Sequence, residues 1–360
     1  MSYLATLNDE QRAAVVAPLG PVLVRAGAGS GKTRVLTYRI AYLIERSARP
    51  DSILAVTFTN KAASELRTRL KTLLGKAGRG VAAGTFHAIC AKILRTNIGG
   101  RIGNYTANFT IYAGDEQLQI VQSALDAYTG SVPQIMEAPE MLGHISRFKS
   151  RMQAPTVARR TASDPVQQYA AAIYRSYQKT LERANALDFD DMIGLTYRLL
   201  FEHPDVLDAV QSRWHHVLVD EYQDTDAAQY ALLELLTRPV AGRARSLFAV
   251  GDAQQSIYGF RNADYTIINR FTRDFSAATV VELATNYRSR QEILDAAYAV
   301  IRHSRAVPPM VLRASRRAPP VPALVIHEAA DDRAEAEEIA KSVGALLAAG
   351  RRARDVAVLY

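Results

Sequence analysis

The stretch Ala26-Gly27-Ala28-Gly29-Ser30-Gly31-Lys32-Thr33 follows an apolar run, Pro21-Val22-Leu23-Val24, and opens a helical pattern with Val35-Leu36, Ile40-Ala41 and Leu43-Ile44. Strand, glycine loop and helix in that order are the context of a phosphate-binding loop, which restricts the chain to α/β architectures. Glycines let successive backbone N–H groups turn inward, and the helix N-terminus adds partial positive charge. Lys32 is spaced to reach β- and γ-phosphates, and the Thr33 hydroxyl to ligate Mg²⁺. Ala26 stands where the strict pattern has glycine. Residues 26–33 therefore read as a nucleoside triphosphate site.

The rest of the chain agrees with a parallel sheet. Short unbroken apolar runs recur at Val22–Val24, Ile53–Phe58, Val81–Phe86, Val217–Val219, Leu247–Val250 and Val280–Leu283. Runs without polar alternation suit strands covered on both faces. From about Ala88 to Asp188 the rhythm changes to helical patterns, Glu116–Tyr128, Pro139–Lys149 and Val166–Ala184, with no central strand. After Asn286 a second α/β pattern follows: helix Gln291–His303, strand Leu324–His327, helix Arg333–Ala349 and strand Val356–Tyr360, with the Pro- and Arg-rich stretch Val307–Pro322 as a connecting loop. The expected organisation is a RecA-like P-loop NTPase domain (1–88 plus 189–287), an inserted all-helical domain (89–188) and the start of a second RecA-like domain (288–360). The chain stops inside an apolar run, so the second domain is expected to be truncated.

Lys and Arg number 44 against 36 Asp and Glu, a net charge of +8, which points towards a polyanionic partner. No apolar run approaches the ~20 residues that span a bilayer, and the N-terminus has no secretory pattern. The single cysteine, Cys90, suits a reducing cytoplasm and reads as a small buried apolar side chain.

Val217-Leu218-Val219-Asp220-Glu221 delivers two carboxylates at a strand's C-terminal end, where open α/β sheets place their ligands. One carboxylate can hold Mg²⁺ while its neighbour orients the attacking water. We assign Asp220 to the metal and Glu221 to the water.

Asp220-Glu221-Tyr222-Gln223-Asp224-Thr225 resembles the Walker B motif of superfamily 1A helicases of the UvrD/Rep/PcrA type. Other stretches agree in order: Leu7-Asn8-Asp9-Glu10-Gln11, Thr57-Phe58-Thr59-Asn60-Lys61-Ala62-Ala63, Gly84-Thr85-Phe86-His87, Leu187-Asp188-Phe189-Asp190-Asp191, Val250 through Arg261, and Asn286-Tyr287-Arg288-Ser289. The resemblance implies that Gln11 reads the adenine edge, Arg34 contacts the base and Tyr287 stacks on it. It implies that Gln255 senses the γ-phosphate and that Arg288 is an arginine finger. Lys32, Glu221, Gln255 and Arg288 are then the catalytic set, with ATP and Mg²⁺ as cofactors.

For DNA, the resemblance implies contacts from Thr57, Phe58, Asn60, Thr85, Phe86, His87, Phe189, Tyr258, Phe260 and Arg261. Aromatic rings there can stack on bases, although core packing is the alternative for Phe86 and Phe189. His87 either bonds a phosphate or braces its loop. Phe260 stands where the family usually has tryptophan, and the only tryptophan, Trp214, reads as core.

The implied activity is ATP-dependent 3′-to-5′ helicase or translocase work on single-stranded and 3′-tailed duplex DNA, with DNA-repair proteins as partners and a cytoplasmic, nucleoid-associated location. The family's motifs V and VI have no match here, so the 360-residue chain is expected to bind ATP–Mg²⁺ and single strands but to unwind poorly. Two alternatives stand beside this reading. One is a naturally short ATP-gated single-strand-binding module, the other the motor part of a RecB/AddA-like helicase–nuclease.

Overall fold

A computed structural model describes residues 2–239, 245–259, 262–275, 277–304, 308–316 and 324–359. Its strands are β1 (Pro21–Ala26), β2 (Ile53–Thr57), β3 (Ala82–Thr85), β4 (Thr110–Ile111), β5 (Ala186–Leu187), β6 (His216–Val219), β7 (Ser246–Gly251), β8 (Thr279–Leu283), β9 (Thr285–Asn286) and β10 (Arg313–Ala314). Six of them form one wholly parallel sheet in the order β3-β2-β6-β7-β1-β8. All six apolar runs expected as strands lie in this sheet.

Side-chain alternation divides each strand between two cores. Leu23, Leu247 and Ala249 face one side, with Leu54, Val56, Val217 and Val219. Val22, Val24, Phe248 and Val250 face the other, against Val35, Leu36 and Ile40 of helix Lys32–Glu45. Central strands β2 and β7 are buried throughout, while the edge strand β8 alternates. This explains why the central runs lack polar interruption. Helix Asp9–Val16 is held on the second core by Arg39, which is fully buried and donates to the carbonyls of Val15, Ala17 and Pro18.

Helix Phe86–Asn97 and residues as far as Phe109 pack into the first core, so sheet packing continues past residue 88. Helices Asp115–Asp126, Ala138–Ser150, Pro155–Thr161 and Pro165–Arg183 then enclose a third core around Val121, Met141, Ile145, Ile173 and Tyr177. Three of these helices match the expected patterns, and Pro155–Thr161 is additional. A two-residue parallel bridge, β4 with β5, closes the insertion at its base, a small departure from the strandless reading.

Beyond β9 the outcome differs. Helices Gln291–Ile301 and Asp332–Ala348 form, but the expected strands Leu324–His327 and Val356–Tyr360 do not. Their described residues are unpaired, and Ile326 is 95% exposed. An apolar run becomes a strand only where a neighbour completes its hydrogen-bond ladder, and among the described residues here only β10 finds one, in β9. The expected loop Val307–Pro322 thus contains β10, and its residues 307 and 317–322 lie outside the described set. Among the described residues no helix is long and apolar enough to cross a membrane.

Candidate nucleotide and DNA site

In a parallel sheet every strand ends at the same edge, so the segments following β1, β2, β3, β6, β7 and β8 converge there. That one topological fact gathers motifs scattered over residues 26–289.

Ala26 is the last residue of β1 and fully buried; its methyl group lies in the core, which is why glycine is dispensable at this position. After it, Gly27 N–H donates to Leu283 O at 3.2 Å, and Ser30 returns N–H and hydroxyl bonds to Gly27 O. Gly29 (φ +65°) and Gly31 (φ +94°) occupy the left-handed region that glycine permits without cost. A Cβ on Gly29 would also lie 2.7 Å from Arg288 Cβ. The helix begins at Lys32 with no side-chain cap, so the N–H groups of its first turn point back towards the loop.

Lys32 Nζ donates to Gln255 Oε1 at 3.1 Å and lies 3.4 Å from Glu221 Oε2. Three of the four expected catalytic groups therefore meet around one ammonium. Glu221 adopts φ +49°, ψ +47°, strained for a non-glycine residue, and its carboxylate is held by Gln223 Nε2 at 2.9 Å. Asp220 is buried at the end of β6, and burial, then the Glu221 carboxylate, push its carboxyl up to about 6. Thr33 follows Lys32 in the first helical turn. A hydroxyl and a buried carboxylate are hard oxygen donors suited to Mg²⁺, which takes few protein ligands beside phosphate oxygens.

The base-side residues have mixed outcomes. Gln11 is buried, and its amide donates to Ser30 O at 2.8 Å. It braces the phosphate loop instead of presenting a free edge, because Asn8 and Gln11 form a capping box that directs the side chain inward. Arg34 is tied to Thr6 O and Oγ1. Tyr287 is 41% exposed, with its hydroxyl accepting from Asn8 Nδ2 at 2.8 Å and its N–H donating to Gly29 O. Arg288 is exposed on the rim beside Gly29.

Sequence reasoning missed the stitching residues here. Buried Asn286 accepts from the Arg288 and Ser289 N–H groups and donates to Ala28 O. Glu10 accepts from Ala284 N, Thr285 N and Arg313 Nη2. Both carry side-chain acceptors inside quoted motifs, the one available signal.

The second feature is a cavity of about 870 Å³ lined by Thr57, Phe58, Asn60, His87, Phe189 and Tyr258, among others. Phe58 and Tyr258 lie with ring centroids 4.7 Å apart, and His87 meets Phe189 edge-on at 5.4 Å. Phe189 is 46% exposed, so the core alternative fails for it. Phe86 is 7% exposed and packs into the sheet core, and it also lines the wall of the cavity. The hydroxyls of Thr57 and Thr85 are engaged locally, with Thr59 O and Ala88 N. Burial lowers the His87 pKa, favouring a neutral ring. Phe260 and Arg261 lie outside the described residues. Trp214 and Cys90 are buried, as expected.

Beneath the cavity, Lys149 Nζ bonds Asp188 Oδ2 at 2.6 Å and Asp191 Oδ1 at 2.8 Å, all three groups buried. Tyr177 and Gln178 complete the network. Asp188 and Asp191 also form the capping box of helix Phe189–Glu202. Lys149 was legible in principle, since it continues the Met141, Ile145 stripe at helical spacing.

A family model described as the UvrD/REP helicase N-terminal domain matches residues 7–276, and one described as the UvrD-like helicase C-terminal domain matches residues 281–360. The chain is 40% identical over 361 aligned positions to an ATP-dependent DNA helicase PcrA of Staphylococcus epidermidis, covering 100% of this chain and 48% of that protein. It is 40% identical over 362 positions to the protein of that name from Staphylococcus aureus, with the same coverage. The chain thus spans about half the length of the curated relatives it matches. On these matches, the chain belongs to the UvrD/REP helicase family.

Proposed function

We propose that this chain binds ATP–Mg²⁺ at residues 26–33 and single-stranded DNA in the Phe58–Tyr258 cavity, as the ATP-binding half of a 3′-to-5′ DNA helicase. The observation that carries this reading is that one sheet edge holds both features: the segment after β7 supplies Gln255 to Lys32 and, three residues on, Tyr258 to Phe58. The proposed units remain the sheet domain, the helical insertion and residues 288–360. The separate core of the insertion supports the division, with the first boundary near residue 110 and not 88, because helix Phe86–Asn97 and Phe109 pack on the sheet.

In this reading Lys32 leaves Glu221 and Gln255 for the terminal phosphates, freeing Glu221 to orient water. Gln255 then bonds the γ-phosphate, and Arg288 approaches from the opposite rim beside Gly29. Thr33 and Asp220 would hold Mg²⁺, which offsets phosphate charge when bound. Gln11 acts through the loop it braces, and Tyr287 offers its ring to the base. The larger protein's action on 3′-tailed duplex, its repair partners and its cytoplasmic location belong to the same proposal.

Tyr258→Ala tests the DNA assignment. Losing one stacking platform should weaken oligothymidylate binding by about 1–3 kcal/mol, read by fluorescence anisotropy. Unchanged affinity would remove the cavity from the DNA path.

The cavity also predicts a pH dependence. Burial raises the carboxyls of Asp190 to about 7 and of Asp224 and Asp226 to about 6, and all three line the cavity. Raised carboxyls are neutral below these values and ionised above them. Single-strand affinity should therefore fall several-fold as pH rises from about 5 to about 8, because ionised groups repel backbone phosphates. A flat profile would count against the assignment, and Asn replacements should flatten it.

Strand displacement by the 360-residue chain should be weak, since among its described residues from β9 onwards the only sheet is the two-residue parallel pair β9–β10, too small to close over the nucleotide. A tailed-duplex unwinding assay at rates typical of helicases would overturn this.

A further inference from the structure

Gln223 is 1% exposed and lies between the two sites. Its Nε2 donates to Glu221 Oε2 at 2.9 Å, in the nucleotide site, and to Asp224 Oδ2 at 3.4 Å. Asp224 lines the DNA cavity. Its Oε1 accepts the Asp252 N–H at 2.9 Å, at the start of the segment that ends on Tyr258. A Cβ on Gly251 would come within 2.8 Å of Gln223 Oε1, so the end of β7 sits directly against the amide. The bonds then close a ring: Asp252 carboxylate accepts from Gln255 Nε2, and Gln255 Oε1 accepts from Lys32, beside Glu221.

Resting on the two-site reading above, we propose that Gln223 is a positioning residue that couples DNA occupancy to the water-orienting carboxylate. Its two amide hydrogens are shared unevenly between Glu221 and Asp224, one carboxylate per site. A phosphate that draws Lys32 away lets Glu221 turn towards water and loosens the shorter bond. The amide then swings towards Asp224 and shifts its grip on Asp252, which carries the Tyr258 segment. Base stacking on Tyr258 acts through the same bonds in reverse, as linkage requires. A buried amide suits this role because it donates and accepts at once, whereas methionine of similar volume does neither.

The test is the coupling itself. Anisotropy titrations of a fluorescein-labelled oligothymidylate are made with this chain, with and without Mg²⁺ and a non-hydrolysable ATP analogue. The ratio of the two Kd values for the unmodified chain should fall within about 5–150-fold. Gln223→Met should bring that ratio close to one while each ligand alone binds as before. A ratio equal to that of the unmodified chain would overturn the proposal.

If Gln223→Met also loses affinity for one ligand or its thermal midpoint, Gln223→Asn decides. It stays neutral and keeps an amide donor and acceptor but is one methylene shorter, so it cannot hold Glu221, Asp224 and Asp252 together. Coupling retained there overturns the proposal and coupling lost supports it. An unmodified chain that binds both ligands without coupling overturns this inference alone. One that binds neither overturns the functional reading beneath it.

Discussion

On the function proposed above, Lys32→Ala is expected to lower single-strand-stimulated ATP turnover by at least roughly 10²–10³-fold, the scale for one preorganised donor at developing charge. Lys32 sits where Glu221 and Gln255 converge, so alanine removes both the phosphate cation and the group that holds those side chains apart from each other's charge and dipole. The fold should survive. Glu221 is over one-third exposed at this contact, and a solvent-screened ion pair contributes under about 1 kcal/mol. Phosphate release at saturating single strand is the measurement, with a urea melt alongside. Turnover within tenfold of the unmodified protein, as a rough threshold, would show that the loop from Ala26 to Thr33 is not the hydrolytic site.

Lys149→Met is expected to have the largest effect on stability, a loss of about 3–5 kcal/mol. The substitution leaves two carboxylates, Asp188 and Asp191, buried within one cap with no cation. Burial and the Asp188 charge already raise the Asp191 carboxyl to about 6 with Lys149 present. Adding Asp188→Asn and Asp191→Asn to Lys149→Met should recover much of the loss, because asparagine still caps helix Phe189–Glu202 while carrying no charge. Urea unfolding midpoints of the single and triple variants decide the matter. A single-variant loss below about 1 kcal/mol would mean that the network does not tie helix Ala138–Ser150 to the sheet domain.

Much of the fold was legible because its signals are local. Unbroken apolar runs marked the six sheet strands, and the glycine loop marked which strand leads into the nucleotide helix. The run at Leu324–His327 misled for the same reason. A window of sequence reports that residues suit a strand, but no window reports whether a ladder partner stands beside them, and here none does among the described residues. Phe86 was ambiguous in sequence because an aromatic ring following a strand can face a core or a groove. Its place in the first turn of helix Phe86–Asn97 sinks it into the core at the cavity wall, beside His87.

The amino-acid sequence determined which chemical groups are available: the phosphate loop, Asp220 and Glu221 at one strand end, Gln255 after another, and the aromatic residues of the second motif set. Only the tertiary structure decided how they are held. Asn286 reaches Ala28 across 258 positions of chain, and Glu10 reaches Ala284 across 274. Lys149 became a buried counter-charge and Gln223 a shared donor only once distant elements excluded water around them. Burial and hydrogen-bond partnership are properties of the packed volume around a residue. Chain neighbours supply a minor part of that volume, and elements far along the sequence supply the rest.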